Sequence, residues 1–392
     1  MNSSKHSKQN EAQEINDARK PYNIKQLPIE LIAEIFFKLP ITTLFHCKYV
    51  CKSWRVLFSN PNFTRELFSR TLNWLLIHVC NSLFGDKFFL VDIDIRSPSE
   101  PKLALELPRD PNFVHLGAQI KGSCNGLLLR KDLSYPYLGR YCISNPMTGE
   151  CLPLPECYIK PSVVGFGFSS VSHVYKVVFM QPKKGEGWVM TVGSKTWRRL
   201  DIHNFKGAPP QHMIYLNGFL HGIVCSSQNG TMSSLQQYLN RLNGLSASTR
   251  SLCGFDVENE QFQQLPAPST LEGDQSSTHW NLKVMRGCLS LFVRDSDGVN
   301  MYCWVMNDYG VKESWTKDFQ IRERSVPRVL MFSTEEEQVL ALENGQLRFF
   351  SVRQGRWRRL VVSNEVDGIP REINNAFFYT PNFTLINDMI KS

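Results

Sequence analysis

The chain has 392 residues, 42% hydrophobic and 20% charged, the balance of a globular protein with room for one small unit and one larger domain. No apolar run approaches the roughly 18 residues a membrane-spanning helix needs, so no membrane is expected among its partners. The 44 basic and 36 acidic residues give a formal charge of +8, but the basic residues are scattered rather than striped, which makes nucleic acid an unexpected partner.

Residues 1–22 are polar and carry Lys5, Lys8, Glu11, Glu14, Asp17 and Arg19, without the apolar stretch of a secretory signal. They read as a flexible tail, and the expected location is cytoplasmic and/or nuclear. The cysteines agree with that compartment. Their number is 11, which is odd, and none shows the short paired spacing with distal His or Cys that tetrahedral zinc demands. They read as reduced thiols, with no metal and no cofactor expected.

Helical spacing begins at Leu27. Pro28 suits a first helical turn because its missing N–H would have no partner there and its φ is already helical. Leu31, Ile32, Ile35, Phe36 and Leu39 recur at three- and four-residue steps with Glu30, Glu34 and Lys38 between them, the pattern of an amphipathic helix. Pro40 ends it by pushing Leu39 out of the α region. Thr42 or Thr43 can cap a second helix carrying Leu44, Cys47 and Val50, and a third element carries Cys51, Trp54, Leu57 and Phe58. Three helices this short hold more apolar side chains than they can hide among themselves. Such a patch is ordinarily an interface, the alternative being a helical cap packed on the following domain.

The run Leu27-Pro28, Glu30-Leu31-Ile32, Ile35-Phe36, Lys38-Leu39-Pro40 and Val50-Cys51-Lys52-Ser53-Trp54 resembles an F-box, placed here at 23–70. The resemblance implies docking on a Skp-type adaptor, and through it on the cullin and RING subunits of an SCF ubiquitin ligase. It assigns Leu27, Pro28, Leu31, Ile35, Leu39, Pro40, Leu44, Val50 and Cys51 to adaptor contact or its immediate support. Trp54 reads as core, since a large ring anchors a small bundle.

From Leu72 onward short apolar runs alternate with Gly, Pro, Asn and Asp turns, which is all-β patterning. Units recur at Leu72–Pro108, Gly122–Pro155, Val163–Leu200, Ile214–Pro268, Leu282–Phe319 and Val329–Val362, with aromatic or Leu-Pro endings; Trp197-Arg198-Arg199-Leu200 and Trp357-Arg358-Arg359-Leu360 repeat one another. That spacing is the spacing of propeller blades. Asn375–Ile386 offers a strand to complete a blade. The fold class is therefore α+β by segment, a small three-helix unit followed by an all-β propeller-like domain over 71–392, with a β-sandwich as competitor. Gly122-Ser-Cys-Asn-Gly-Leu-Leu128, Asn145-Pro-Met-Thr-Gly-Glu150, Gly165-Phe-Gly-Phe168, Gly254-Phe-Asp-Val257 and the stretch Trp304–Lys317 resemble the plant F-box-associated, kelch-like interaction domain. One departure is Leu220-His221-Gly222, where relatives commonly place Trp after His; the missing ring loosens that blade or moves its binding surface.

Each phrase also has a purely structural reading. The segment 145–150 is a hairpin connection, Gly165–Phe168 lacks the third glycine and the helix of a phosphate loop, and Trp304, Tyr309 and Trp315 read as blade core. No hydrolase elbow, zinc-protease helix, P-loop or calcium loop occurs, so no catalytic residue is assigned, although Cys124, His173, His212, His221 and Asp256 are raw material for a scattered site. Within the insertion 226–250, Leu235, Tyr238, Leu239 and Leu242 fit a short amphipathic helix and are the candidate target-binding residues. The expected function is the substrate-recognition subunit of an SCF-type E3 ligase, itself non-catalytic and holding an unknown target protein. The alternative is a propeller lectin or hydrolase tethered by its F-box, which needs a central pocket of converging polar groups.

Overall fold

The computed structural model describes residues 27–39, 41–60, 63–64, 66–67, 74–81, 85–93, 102–108, 119–132, 140–157, 159–181, 184–202, 213–227, 248–271, 279–295, 297–322, 328–333, 337–360, 362–363 and 373–390. The chain divides into two compact units at Leu57/Phe58.

The first unit holds α1 (Ile29–Phe36), α2 (Ile41–Cys47) and most of α3 (Lys52–Ser59). Pro28 stands just before the first helical residue rather than inside the first turn, and its carbonyl accepts from the N–H groups of Leu31 and Ile32. Helix α2 begins at Ile41, so Thr42 and Thr43 lie within its first turn and not at its cap. Ile32, Phe36, Leu44, Cys47 and Trp54 are buried, and the Phe36 and Trp54 rings meet edge to face at 4.8 Å. Trp54 is core, as its size requires.

The second unit is a ring of six sheets. Blade 1 contains β1 (Trp74–Asn81), β2 (Gly85–Asp92) and β3 (Lys102–Glu106); blade 2 contains β4 (Gln119–Cys124), β5 (Leu127–Lys131), β6 (Tyr141–Asn145) and β7 (Glu150–Pro153). Blade 3 is β8 (Val163–Ser169), β9 (Val174–Gln181), β10 (Glu186–Thr191) and β11 (Arg198–Leu200); blade 4 is β12 (Ile214–Leu216), β13 (Phe219–Ser227), β14 (Ser248–Asp256) and β15 (Phe262–Leu265). Blade 5 is β16 (His279–Met285), β17 (Cys288–Arg294), β18 (Asn300–Met306) and β19 (Trp315–Arg322); blade 6 is β20 (Arg328–Ser333), β21 (Gln338–Glu343), β22 (Gln346–Ser351) and β23 (Arg356–Arg359). Two late strands, β24 (Val362–Ser363) and β25 (Asn375–Phe378), flank blade 1 in the order β24-β3-β2-β1-β25, and a short α4 (Ile386–Met389) follows.

These sheets reproduce the six repeats read from the sequence, with β4 and β16 beginning earlier, at Gln119 and His279. A sandwich is ruled out. The first strands of the blades run beside one another around the axis, β12 beside β4, β8 and β16, and β25 beside β20. Strand β25 thus takes the innermost place in blade 1, and antiparallel pairing of Leu75 with Phe378 and His78 with Asn375 closes the ring. A closed ring leaves little sheet edge open to aggregation.

The recurrent phrases turn out to be joints between blades. Trp197 donates its indole N–H to the carbonyl of Pro155 at 2.9 Å, and Trp315 does the same to Pro266 at 2.9 Å, so a Leu-Pro ending receives the tryptophan of the next blade. The Gly165-Phe-Gly-Phe168 strand lies so close to blade 4 that a methyl on Gly165 would fall 2.6 Å from Leu220 Cδ1. Arg198 to Leu200 form β11 and Arg356 to Arg359 form β23, the outermost strands of their blades.

Candidate functional site

The helical unit leaves an apolar ridge exposed. Within α1, Ile32 and Phe36 point inward, while Leu31 and Ile35, one helical turn apart on the neighbouring stripe, are exposed together with Leu27, Pro28 and Ile29. Leu31 is 53% accessible and Val50 57%. Leu39 and Cys51 are half-buried, and the Cys51 thiol lies 3.2 Å from the Ser53 hydroxyl. Leu44 is turned inward at 3% exposure, so it braces the helices rather than presenting a contact. Pro40 lies outside the described residues. Ile29, Tyr49 and Val56 are exposed apolar residues that the sequence reading left out. Spacing alone sets Ile29 on the stripe of Ile32 and Phe36, yet as the first residue of α1 it has no preceding turn to cover it.

The ring has two faces. With strands antiparallel, the hairpins joining first to second and third to fourth strands lie on one face, and second-to-third hairpins and blade-to-blade crossovers lie on the other. The first face carries tight turns such as Asn125-Gly126, Asn217-Gly218 and Arg286-Gly287. The second, the long-loop face, is where β13 ends at Ser227 and β14 begins at Ser248; Leu235, Tyr238, Leu239 and Leu242 lie outside the described residues.

Both chain ends of the ring meet on the turn face. The Tyr379 hydroxyl donates to the Gly126 carbonyl at 2.7 Å, Thr384 Oγ1 donates to the Ser59 carbonyl at 3.2 Å, and the Phe58 and Phe383 rings meet at 5.4 Å. Phe58 and Ser59, which begin the second unit, are therefore moored on the turn face.

The scattered polar residues do not assemble a catalytic site. Cys124 is buried in the blade 2–blade 3 core, and burial pushes its thiol well above the ordinary value. Asp256 caps a turn by accepting from the backbone N–H groups of Glu258 and Asn259. His173 sits in a hairpin turn at φ 54° beside the Phe168 ring, and His212 lies outside the described residues. His221 is fully buried, with Nε2 2.8 Å from the Tyr309 hydroxyl and Nδ1 3.3 Å from the Ile214 carbonyl. Burial lowers it to about 4, so the ring is neutral. The β13–β14 ladder runs without a shift from Phe219/Asp256 to Ser227/Ser248 through Gly222. The blade is thus not loosened where tryptophan is missing. Trp315 is buried and Trp304 and Tyr309 pack against the same blade 4–blade 5 core.

A cleft in the face of blade 5 is lined by His279, Asn281, Lys283, Arg294 and Val329. It measures about 20 Å³, against the roughly 300–1,000 Å³ of sites for drug-sized ligands. Among the described residues no group of three His, Cys, Asp or Glu side chains could hold a metal ion, and no helix is long and apolar enough to cross a membrane.

Residues 86–350 match the F-box associated beta propeller domain, and residues 24–66 match the F-box domain. The chain belongs to the F-box associated beta propeller family. This F-box chain is 29% identical to F-box protein At3g07870 of Arabidopsis thaliana over 76% of its own length and 73% of that protein. It is 25% identical to the Arabidopsis F-box protein CPR1 over 89% and 91% of the two chains, and 24% identical to the F-box/kelch-repeat protein At3g23880 over 89% and 94%. Among solved structures, TolB from Acinetobacter baumannii is similar at 15% identity, with a TM-score of 0.43 over 78% of this chain and 66% of that one.

Proposed function

We propose that this plant F-box protein is the substrate-recognition subunit of an SCF-type ubiquitin ligase, working in the cytoplasm and/or nucleus. Its helical unit docks on a Skp-type adaptor through the ridge of Leu27, Pro28, Leu31, Ile35 and Val50, braced by Leu39, Pro40, Leu44 and Cys51. The propeller holds a target protein on its long-loop face, to which the 226–250 insertion belongs. The observation that carries this reading is the ridge itself: adjacent apolar side chains left exposed in a segment that matches the F-box domain. The chain performs no bond chemistry. Transfer is accelerated because target lysines are held at high effective concentration beside a conjugating enzyme bound elsewhere in the assembly.

The test is capture of the full chain on an immobilised recombinant Skp-type adaptor. Leu31 and Ile35 are exposed, so Leu31→Ala/Ile35→Ala leaves the fold intact and removes two side chains worth roughly 1.5–3 kcal/mol each when buried. Binding falls by two orders of magnitude or more. Failure of the wild-type chain to bind, or equal binding by the double variant, overturns the reading.

A further inference from the structure

The six innermost strands, β4, β8, β12, β16, β20 and β25, contain Lys121, His279, Lys283 and Arg328 and not one aspartate or glutamate. The first strands therefore carry basic side chains and no acidic one to offset them. Two of these cations are neighbours. Lys283 on β16 and Arg328 on β20 are both half-buried, and neither makes a hydrogen bond or ion pair with a described residue.

Their electrostatics report the same isolation. Burial, with the adjacent Arg328 charge as second cause, brings Lys283 down to about 8, and burial also lowers Arg328; no carboxylate offsets either effect. Elsewhere in this propeller the buried Lys176 is matched by Glu260 at 2.9 Å and the half-buried Arg348 by Glu343. Two desolvated like charges side by side are costly to folding, and such unfavourable pairs concentrate where a ligand later supplies the missing charge.

The position also fits a ligand. Lys283 lines the blade 5 cleft beside Asn281 and the buried Arg294, whose Nη1 donates to the Gly298 carbonyl at 2.5 Å. His279 and Arg328 begin their strands and Arg294 ends β17, and all three ends lie at the long-loop face. At about 20 Å³ the cleft has room for about one oxygen atom of an anionic group and not for a whole cofactor.

We infer that the seam between blades 5 and 6 is an anion-binding site, which takes one phosphate or carboxylate group between Lys283 and Arg328 from the long-loop face. A guanidinium offers paired donors to such a group and an ammonium a point charge, and a half-buried site strengthens both. The inference needs neither the adaptor nor the ligase reading.

The test uses the full chain and inorganic phosphate, titrated against sodium chloride at constant ionic strength, with the thermal unfolding midpoint and calorimetric binding as readouts. Phosphate raises the midpoint saturably in the wild type and in Arg356→Gln, which removes an exposed cation from β23. It has no effect on Lys283→Met or Arg328→Gln. Lys283→Met is at least as stable as the wild type in chloride, because it removes the repelled charge. Competition with a phosphoserine peptide separates the sources: displacement of phosphate at tenfold lower concentration assigns the group to a polypeptide, and displacement only at equal concentration assigns it to a free anion. A phosphate response no larger than that of chloride, or one retained in both Lys283→Met and Arg328→Gln, overturns the site.

Discussion

The side-chain amide of Asn145 donates to the carbonyl of Thr384 at 2.9 Å and to that of Asn382 at 2.9 Å, joining blade 2 to the chain's last segment across 239 and 237 residues. Asn145 is fully buried, and its Oδ1 accepts from the Met147 N–H at 3.0 Å, so one side chain both shapes its own turn and clasps the end of the chain. Glu150 completes the clasp by accepting from the Ile386 N–H at 2.8 Å. Asn145→Ala removes these three hydrogen bonds, two to the last segment and one within its own turn, and takes the donor from the Thr384 and Asn382 carbonyls, a loss of about 2–4 kcal/mol. Urea unfolding measures it. In a chain ending at Thr380 the same substitution costs under about 1 kcal/mol, because the partners are already gone; equal losses in both backgrounds would show that Asn145 acts only within its turn.

Gly126 and Gly218 occupy equivalent hairpins with φ of 80° and 82°, yet differ in surroundings. A methyl on Gly126 falls 2.5 Å from Asn382 Cβ and 2.7 Å from the Thr380 carbonyl, whereas one on Gly218 meets nothing within 4 Å. Alanine at 218 carries only left-handed strain, about 1–2 kcal/mol. Alanine at 126 adds overpacking against backbone, about 1–3 kcal/mol more. The difference in unfolding free energy between the two variants isolates the ring-closing contact, and identical values would refute it.

The blades were legible because the repeats carry local punctuation: Leu-Pro endings at 107–108, 154–155 and 265–266, Trp-Arg-Arg-Leu endings at 197–200 and 357–360, and Asn-Gly turns such as Asn125-Gly126 and Asn217-Gly218. The amphipathic spacing of Leu31, Ile32, Ile35 and Phe36 likewise announced α1, but not which stripe faces inward, since that depends on α2 and α3. Asn145 read as turn chemistry alone. Its partners Asn382 and Thr384 are distant in sequence, and nothing local marks the pairing. Lys283 and Arg328 looked scattered for the same reason: they become neighbours only when the ring sets β16 beside β20, although the lack of acidic residues in the first strands was readable once the repeats were aligned.

The repeated indole joint gives a conservative test. Trp315→Phe keeps a buried ring and deletes the N–H that reaches Pro266 at 2.9 Å. The loss is about 1–2 kcal/mol, the carbonyl being left without its donor. Trp197→Phe loses a similar amount through Pro155, and because the two joints lie in different blades the double variant is additive within about 0.5 kcal/mol. Differential scanning calorimetry of the three variants checks both magnitudes and additivity.

His221 sets a pH limit on the blade 4–blade 5 joint. It faces the Tyr309 hydroxyl, itself raised to about 12 by burial and the nearby Asp256 charge, and the Ile214 carbonyl. Its folded value of about 4 lies below the ordinary 6.5, so from pH 6.5 down to 4 the unfolded chain takes up a proton that the folded chain refuses. The stability contributed by the neutral ring is complete above pH 6.5 and declines as pH falls through that window, by on the order of 2–3 kcal/mol at its lower end. His221→Gln cannot titrate and can keep one hydrogen bond. It is less stable than the wild type at pH 7.5, and the gap narrows by on the order of 2–3 kcal/mol between pH 7.5 and 4.5 in denaturant titrations. Carboxylates that also lose stability in acid, such as Glu260 with its Arg198 and Lys176 partners, act equally in both chains and cancel in the comparison. A gap that stays constant with pH would mean that His221 titrates alike in the folded and unfolded chains, and a gap that widens in acid would mean a protonated folded ring with Tyr309 accepting its hydrogen bond.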